Sequence, residues 1–387
     1  MTESEWKKVR LTDFVWFQRG FDLPKNKFMP GNIPVYGSTS ILGYHNQSKV
    51  KGPGIITGRS GTIGKFQYST GEFWPHNTSL WVKDFKGNSP KFAFYLLHCL
   101  DFKSMNTGGA VPTLNRNLLS SFIVDVPSIK TQNKIASILS AYDDLIENNL
   151  KRIKLLEEKA QLTYEEWFVR MKYPGHENDK VDSETGLPEG WTKYMLSEAA
   201  DFLNGYAFKP EDLGEKGYPV IKIKEMKNGV VSDTPRNLGD LINEKYLVNK
   251  GDILFSWSAT LEVIIWKEET GLLNQHLFKV TPKEPFKRSY VYLACKNALK
   301  QFELLTTGAT MKHIKRKELD FVTANFPGDR LMSSFEKEVE PLLEAMERFK
   351  ELIGQLNVAK GILLPRLMSG MIDIDEVKYN YPKEISA

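Results

Sequence analysis

Two long heptad patterns dominate the distribution of apolar residues along the chain. In the first, from Ile135 to Trp167, apolar residues recur at spacings that alternate between four and three. The second repeats this spacing 200 residues later, from Phe335 to Leu367, with the polar Lys360 among its positions. A seam of this length predicts a helix that packs along another helix, and two matching seams predict that they pack together. The alternative is that each is an ordinary core helix within its own domain.

A polar residue, Asn149, interrupts the first seam. A single asparagine in an apolar seam can fix the register and the partner of a helix. Alternatively, the helix is exposed at this point or is covered by another subunit. The sequence leaves both interpretations open.

The blocks that precede the two helices look like copies of one another. Residues 6–35 match residues 191–220 at an offset of 185, and the offset has reached 200 where residues 114–127 match residues 314–327. The slip fits one insertion of about a dozen residues between Val220 and Gly251. Each block is predicted to be mixed α/β, with a strand–turn–strand pattern, then a short amphipathic helix, then a strand that ends at a proline.

The order of these elements predicts an α+β fold with an internal repeat. The expected segments are residues 1–127 for the first block, 128–172 for the first long helix, 173–190 for a linker, 191–327 for the second block, 328–372 for the second long helix and 373–387 for a tail. If the second helix pairs with the first in an antiparallel sense, it returns the chain to the first block. The expected architecture is therefore a pseudo-two-fold dumbbell in which a two-helix coiled coil separates two globular blocks.

Composition places the chain among globular proteins of more than one domain. Hydrophobic residues make up 41% and charged residues 26% of its 387 residues, as in folded soluble proteins. Apolar runs stay below the roughly 18 residues that a membrane helix needs, and the first ten residues resemble no signal peptide. The two cysteines, Cys99 and Cys295, offer no disulfide framework, so we expect a cytoplasmic protein.

The net charge of +4 is unevenly distributed along the sequence. Residues 1–127 hold 15 basic and 8 acidic residues, and residues 191–327 hold 20 and 17. Residues 128–190 and 328–387 each carry a net charge of −3, from 9 against 12 and from 8 against 11. A polyanionic partner would therefore be bound by the two blocks and not by the helices.

Five segments of the chain resemble the specificity subunits of type I restriction–modification systems, and the resemblance spans nearly the whole sequence. They are LLPRLMSGMI (363–372), PSIKTQNKIASILSAYDDLIENNLKRI (127–153), LPEGWTKYMLSEAADFLNGYAFK (187–209), EWKKVRLTDFVWFQRG (5–20) and GRSGTIG (58–64). In that family, the two blocks are target-recognition domains, and each reads one half of a split DNA target. The second copy of the glycine turn, SWSATLE (256–262), lacks the three glycines, so the two domains should present different surfaces there, as expected if their half-sites differ.

The resemblance also implies partners. Double-stranded DNA, two methyltransferase (modification) subunits and the restriction/translocase subunits are the expected ones, and the coiled coil would set the gap between half-sites and hold the methyltransferases. The chain itself would be a non-catalytic recognition subunit without a cofactor. Two alternatives stay open: a coiled-coil protein scaffold that does not bind DNA, and the specificity subunit of a related system in which methylation and cleavage are fused in one partner.

Candidate DNA-binding residues lie in the turns and loops of both blocks. Readout of bases needs forked donors for guanine and amides for adenine, and phosphates need Lys or Arg. The candidates are Arg59, Ser60, Lys65, His76, Asn77, Asn115 and Arg116 in the first block, and Lys222, Lys224, Trp257, Gln275, His276, Lys312, His313, Lys315 and Arg316 in the second. For any one of these residues, the alternative is a solvated surface charge or a satisfied core side chain.

The sequence contains no recognisable motif for catalysis or metal binding. In the segment GRSGTIGK, Arg59 stands where a Walker A loop has its first glycine, and Phe66 follows where the loop has Ser or Thr. No Asn/Asp-Pro-Pro-aromatic motif of an amino-methyltransferase is present, and no Cys-x-x-Cys pair or histidine spacing suggests a metal site. A Ser/His/Asp arrangement stays open, because such groups assemble only in the fold.

Overall fold

The computed structural model describes residues 6–105, 113–258, 261–305, 319–320, 322–372 and 374. The chain divides into two compact units. Unit 1 comprises Met1–Asn148 and Leu352–Ala387, and unit 2 comprises Asn149–Glu351. Each unit therefore contains one block together with part of both long helices.

The elements of unit 1 form the first mixed α/β block and lead into the first long helix. They are β1 (Lys7–Arg10), α1 (Leu11–Phe14), β2 (Trp16–Arg19), β3 (Ile33–Tyr36), β4 (Ile41–His45), β5 (Gly54–Gly58), β6 (Phe66–Ser69), β7 (Trp74–Pro75), β8 (Ser79–Asp84), α2 (Pro90–His98), β9 (Ile123–Val126) and the start of α3 (Ile129–Tyr164). The strand orders are β2-β8-β5-β6, β4-β3-β7 and β1-β9.

The elements of unit 2 repeat this arrangement. A π-helical turn (Glu165–Val169) continues α3 and is followed by β10 (Thr192–Met195), α4 (Leu196–Ala199), β11 (Ala200–Asn204), β12 (Tyr218–Ile221), α5 (Ile223–Asn228), β13 (Arg236–Asn237), β14 (Leu247–Val248), β15 (Ile253–Ser256), β16 (Glu262–Ile265), β17 (Gly271–Leu273), β18 (Leu277–Pro282), α6 (Arg288–Leu305), β19 (Thr323–Phe326) and α7 (Asp329–Met368). The strand orders are β11-β18-β15-β16, β13-β12-β17-β14 and β10-β19.

The predicted α+β fold with an internal repeat is confirmed by this correspondence. The sheet β2-β8-β5-β6 has its counterpart in β11-β18-β15-β16, and the parallel pair β3–β7 has its counterpart in β12–β17. The extra elements α5 and β14 lie between Val220 and Gly251, where the change of offset predicted an insertion, and β13 is the counterpart of β4. The two blocks thus share one strand plan, and the second carries an insertion.

The two long helices run antiparallel in each unit. In unit 2 the Arg152 guanidinium lies over the Phe349 ring, 5.5 Å from its centroid, and the Lys159 and Glu338 side chains are 3.3 Å apart. In unit 1 Lys360 donates a hydrogen bond to Asp143. The predicted seam is confirmed, because each of its positions in both helices is buried or half-buried.

Both helices belong to the cores of the units. In unit 1 Leu139 of α3 and Leu367 of α7 are buried within the same cluster as Phe92 of α2. In unit 2 the Phe168 ring packs at 4.7 Å from that of Phe335 and at 4.8 Å from that of Tyr290. The helices are therefore part of the folded blocks and are not a free-standing spacer along these parts of their length.

Asn149 is buried, so the interpretation that the helix is exposed at this point is wrong. Its amide nitrogen makes no hydrogen bond to the residues that the structure describes. A buried amide without a partner is destabilising, which is the known disadvantage of a polar residue that fixes register in an apolar seam.

Candidate nucleic-acid interface

A tight turn between β7 and β8 gathers several candidate residues of the first block. The backbone nitrogen of Ser79 donates to the carbonyl oxygen of His76 over 2.9 Å, and the Ser79 hydroxyl donates to the same oxygen over 2.7 Å. His76 Nδ1 lies 3.0 Å from the hydroxyl of Thr78. These bonds leave Asn77 at the tip of the turn, where it is half-buried.

The chain that leaves β2 crosses this turn at Gly20. The Gly20 nitrogen donates to the Ser79 carbonyl over 3.0 Å, and the Phe21 nitrogen donates to the Pro75 carbonyl over 2.8 Å. A Cβ atom on Gly20 would lie only 2.1 Å from the His76 carbonyl oxygen. Only glycine allows the two backbones to approach so closely.

The glycine-containing loop after β5 lies against the same turn. The nitrogens of Arg59 and Ser60 both donate to the Thr78 carbonyl, over 2.9 and 3.4 Å. The hydroxyl of Ser38 donates to the carbonyls of Ser60 and Thr78, over 2.8 and 3.0 Å. The structure therefore brings Arg59, Ser60 and the turn together. Arg59 is half-buried, and its Nε makes no hydrogen bond to the residues described.

The remaining candidates of the first block lie along the loop and the segment bonded to it. The Leu114 nitrogen donates to the Arg59 carbonyl over 2.8 Å, which places the following residue, Asn115, near the loop. Asn115 is exposed and accepts a hydrogen bond from the Asn117 nitrogen at the start of the 3-10 helix Arg116–Ser121. Lys65 is exposed immediately before β6. The backbone of Arg116 is described, and its side chain is outside the described part.

Unit 2 contains the same turn between β17 and β18. The Leu277 nitrogen donates to the Asn274 carbonyl over 3.0 Å, and the Gly205 nitrogen donates to the Leu277 carbonyl over 3.1 Å. A Cβ atom on Gly205 would lie 2.2 Å from the Asn274 oxygen. Gln275 stands where Asn77 stands in the first block, so each turn presents one side-chain amide.

Trp257 occupies the position that Arg59 has in the first block. Its ring lies 5.7 Å from that of His276 and 5.9 Å from that of Phe278, and its Nε1 donates to the Asn204 side chain over 3.2 Å. The candidates Trp257, Gln275 and His276 are thus brought together. The two turns differ in chemistry at this position, because a guanidinium in one is replaced by an aromatic ring in the other.

The two lysines proposed for the insertion have different surroundings. Lys222 follows Ile221, whose carbonyl accepts from the Asn274 nitrogen over 3.1 Å, so Lys222 lies beside the turn. The Lys224 ammonium is 2.9 Å from the Asp233 carboxylate, and this hydrogen bond raises the pKa of Lys224. Asp233 offsets that charge, which makes Lys224 the weaker candidate for a phosphate contact. The basic cluster with Lys312, His313, Lys315 and Arg316 lies outside the described residues.

Sequence reasoning missed Asp22, Ser38 and Asn204, whose side chains contact the turns or the loop residues beside them. Asp22 accepts a hydrogen bond from the Asn77 amide. Ser38 bonds to the loop and the turn, and Asn204 accepts from Trp257. A signal was available for Asn204, because it directly precedes Gly205, the partner of Gly20 in the repeat. Nothing in the sequence signalled the contact of Asp22, which lies 55 positions from Asn77.

Metal binding and membrane insertion find no support in the part of the chain that the structure describes. No group of three or more His, Cys, Asp or Glu side chains there could hold a metal ion. Among these same residues, no helix is both long enough and apolar enough to cross a bilayer.

The family model and the related proteins that match this chain all point to one family. The model of the type I restriction modification DNA specificity domain matches residues 3–158 and 188–328. The MjaVIII specificity subunit of Methanocaldococcus jannaschii is 23% identical over 408 aligned positions, which cover 97% of this chain and 95% of that protein. The MjaIX specificity subunit of the same organism is 24% identical over 299 positions, which cover 71% of this chain and 66% of that protein.

A solved structure has the same fold. The crystal structure of the S subunit of a type I restriction–modification system from M. genitalium aligns with a TM-score of 0.62 and 17% identity, covering 95% of this chain and 97% of the other. The family model matches both blocks separately, in agreement with the repeated strand plan. The chain therefore belongs to the family of type I restriction–modification DNA specificity proteins.

Proposed function

We propose that this chain is the non-catalytic, sequence-specific DNA-binding subunit of a type I restriction–modification complex in the cytoplasm. Each block is a target-recognition domain that reads one half of a bipartite target. The observation that carries the proposal is the repeated turn: in each domain a glycine-crossed turn presents one amide, Asn77 or Gln275, beside a second candidate reader. Amides recognise adenine in the major groove, and Arg59 has the forked donor that recognises guanine.

The two domains read different sequences. Arg59 and Trp257 occupy equivalent positions, and a guanidinium and an indole ring make different base contacts. The ring of Trp257 is held against His276, so it presents an apolar surface that suits a thymine methyl group. The gap between the half-sites is set by α3 and α7, which continue from one unit into the other.

Docking of methyltransferase subunits is supported by exposed apolar side chains on the helices. In unit 2 Leu155 and Leu162 are 65% and 54% exposed, and they line a groove of about 760 Å³ together with Trp167. In unit 1 Val358 and Ile362 of α7 are 65% and 49% exposed. Leu162 and Ile362 are 200 residues apart and hold equivalent positions in the repeat, so the apolar strips of the two units share one position. Exposed apolar strips are typical of protein interfaces, and two strips suit two methyltransferase subunits.

The stoichiometry can be tested by introducing charge into one strip at a time. Replacing Leu155 and Leu162 by Glu should remove one methyltransferase from the purified complex, and replacing Val358 and Ile362 should remove the other. The mass of the complex, measured by native mass spectrometry, reports the number bound. Leu241→Glu is the matched control, because Leu241 is 97% exposed and lines a different groove, with Tyr206 and Arg236, in the second recognition domain. Loss of both methyltransferases from either double variant would contradict one site per unit.

DNA binding is tested with the complete complex and duplexes that carry the target. Contact with about six phosphates should lower the association constant by roughly 10³ between 50 and 200 mM salt. A flat salt response would contradict phosphate contact and favour the alternative of a scaffold that binds only proteins. The size of the co-purifying partner separates this proposal from a system in which methylation and cleavage share one chain.

The spacing role is tested by one heptad inserted into both α3 and α7. Seven residues lengthen each helix by about 10 Å, which corresponds to roughly three base pairs. We expect the unspecified gap in the target to lengthen by about this amount while both half-sites stay the same. Changed half-sites with an unchanged gap would refute the spacing role.

A further inference from the structure

An acidic side chain lies on the surface that would face DNA in the first recognition domain. Asp22 is 74% exposed, and it accepts a hydrogen bond from the side-chain amide of Asn77 at the tip of the turn. The guanidinium of Arg19 lies 4.0 Å from the same carboxylate oxygen. An exposed carboxylate repels phosphates, so its presence beside the turn needs an explanation other than attraction to the DNA backbone.

The backbone holds Asp22 in register with Asn77. Gly20 and Phe21 donate to the carbonyls of Ser79 and Pro75, over 3.0 and 2.8 Å, and Phe21 bridges to His76. The residue that follows Phe21 is therefore held against the turn. The backbone hydrogen bonds therefore hold Asp22 where its carboxylate can contact the Asn77 amide.

The hydrogen bond fixes which way the Asn77 amide faces. A carboxylate only accepts hydrogen bonds, so it selects the NH₂ group and turns it toward Asp22. This uses one of the two amide hydrogens. The second hydrogen and the amide oxygen make no hydrogen bond to the residues that the structure describes, and they are the pair of groups that reads N7 and N6 of adenine.

We propose that Asp22 is a positioning residue for base recognition in the first half-site. It orients the Asn77 amide for an adenine, and it lowers the affinity of this domain for DNA of any sequence. This inference rests on the proposed function as a DNA-recognition subunit. It adds a residue that increases discrimination between sequences while it lowers the affinity for all of them.

The second domain provides an internal comparison. At the equivalent position after Gly205 and Tyr206, the chain has Ala207 in place of an acid. The Gln275 amide nitrogen instead lies 3.5 Å from the His276 ring. Orientation of the amide by an acidic residue is therefore proposed for the first domain alone, and changing Asp22 should leave recognition of the second half-site unaltered.

Three variants test the proposal in the complete complex with its methyltransferases. Asp22→Ala removes both the charge and the hydrogen-bond acceptor. Asp22→Asn removes the charge but keeps an oxygen that can accept from Asn77. Asp84→Ala is the control, because Asp84 is an exposed acid at the other end of β8, paired with Lys86, and its loss changes the net charge equally.

Binding is measured on the target, on a target with the adenine of the first half-site replaced, on one with the second half-site altered, and on unrelated duplex. For Asp22→Ala we expect binding to unrelated DNA to strengthen several-fold at low salt, and discrimination at the first half-site to fall about tenfold. Asp22→Asn should strengthen general binding to the same extent and keep the discrimination. Both variants should leave discrimination at the second half-site unchanged, and Asp84→Ala should leave both half-sites unchanged.

Several outcomes would overturn the inference. One is that Asp22→Ala binds all duplexes more weakly by the same factor, which would indicate a merely structural role. Another is behaviour of Asp22→Ala that matches Asp84→Ala, and a third is loss of discrimination in Asp22→Asn as well. These outcomes differ from failure of the proposed function, which would appear as a wild-type complex that does not discriminate its target from unrelated DNA. Thermal unfolding of each variant shows whether the fold is kept.

Discussion

A charged cluster fixes the second recognition domain to α7, and removing its one arginine should destabilise unit 2. Arg288, at the start of α6, donates to Glu340 and lies 3.6 Å from Glu347. Its neighbour Ser289 donates to Glu336. The side chains of Arg288, Glu340 and Glu347 are 30%, 22% and 21% exposed, so the cluster is only partly solvated.

The expected loss follows from the carboxylates that Arg288→Ala leaves behind. Removing one partner of a buried ion pair costs about 3–5 kcal/mol, because the other charge stays buried and uncompensated. Partial exposure of this cluster lets water recover some of that loss, so we expect about 2–3 kcal/mol for unit 2. In unit 1 the neutral Asn88 lies two residues before the start of α2, and its side chain donates to the carbonyls of Phe14 and Phe85 over 2.9 and 3.0 Å. Asn88→Ala should therefore be the milder change.

The loss of stability caused by Arg288→Ala should increase as the pH rises. Burial raises the pKa of Glu336 and Glu347, and Arg288 opposes this shift through its positive charge. A carboxyl with a raised pKa binds more protons in the folded state, so its effect on stability becomes less favourable as pH rises through the window between its unfolded and folded pKa values. Without Arg288 both pKa values rise further. The deficit of Arg288→Ala should therefore be smaller at pH 5 than at pH 8.

Cys295 offers a local assay for this prediction. It is buried in α6, and burial raises the pKa of its thiol to about 12. The chain has two cysteines, so Cys99→Ser leaves one thiol to alkylate. If labelling requires opening of unit 2, a deficit of about 2–3 kcal/mol should make Arg288→Ala react roughly 30- to 150-fold faster than its parent. Both rates are normalised to that of the unfolded chain at the same pH.

A neutral replacement of the whole cluster is the control. Arg288→Met combined with Glu340→Gln and Glu347→Gln removes all three charges together and should recover most of the stability. The reasoning would be refuted if Arg288→Ala labelled at the wild-type rate. It would also be refuted if the deficit were the same at pH 5 and pH 8, because the carboxylates would then not be its source.

Two further substitutions test the packing of unit 1. Gly20→Ala should lower its free energy of unfolding by about 2 kcal/mol or more, because the new Cβ would meet the His76 carbonyl at 2.1 Å; an unchanged urea midpoint would contradict this close approach. Leu139→Ala should cost about 2–5 kcal/mol, since Leu139 is 0% exposed in α3. Leu145→Ala, in the same helix but 50% exposed, should cost much less, and equal losses in urea denaturation would contradict the assigned seam.

The repeat and the helical seam could be predicted because both can be recognised from the order and spacing of residue types alone. A heptad pattern needs only spacing, and burial of every seam position follows from it. The repeat also predicts where the turns correspond, because Gly20 and Gly205 hold the same place in it. The shared strand plan gives both glycines the same task, which is to let two backbones cross.

The contacts within the candidate site could not be predicted, because they join residues that are distant in the sequence. Asp22 and Asn77 look like unrelated surface residues until the chain crosses the turn. Glu340 and Glu347 look like a solvated helix face until α6 lies against them. Lys224 looks like a free cation in the sequence, and Asp233 offsets its charge only in the fold.

The most direct test of the account is a map of adenine methylation in cells that carry this chain with its methyltransferase. The account predicts a single motif with two unlike halves, separated by a gap of fixed length and unspecified sequence. An uninterrupted motif, two identical halves or no methylation above background would contradict the claim that two different recognition domains read one split target.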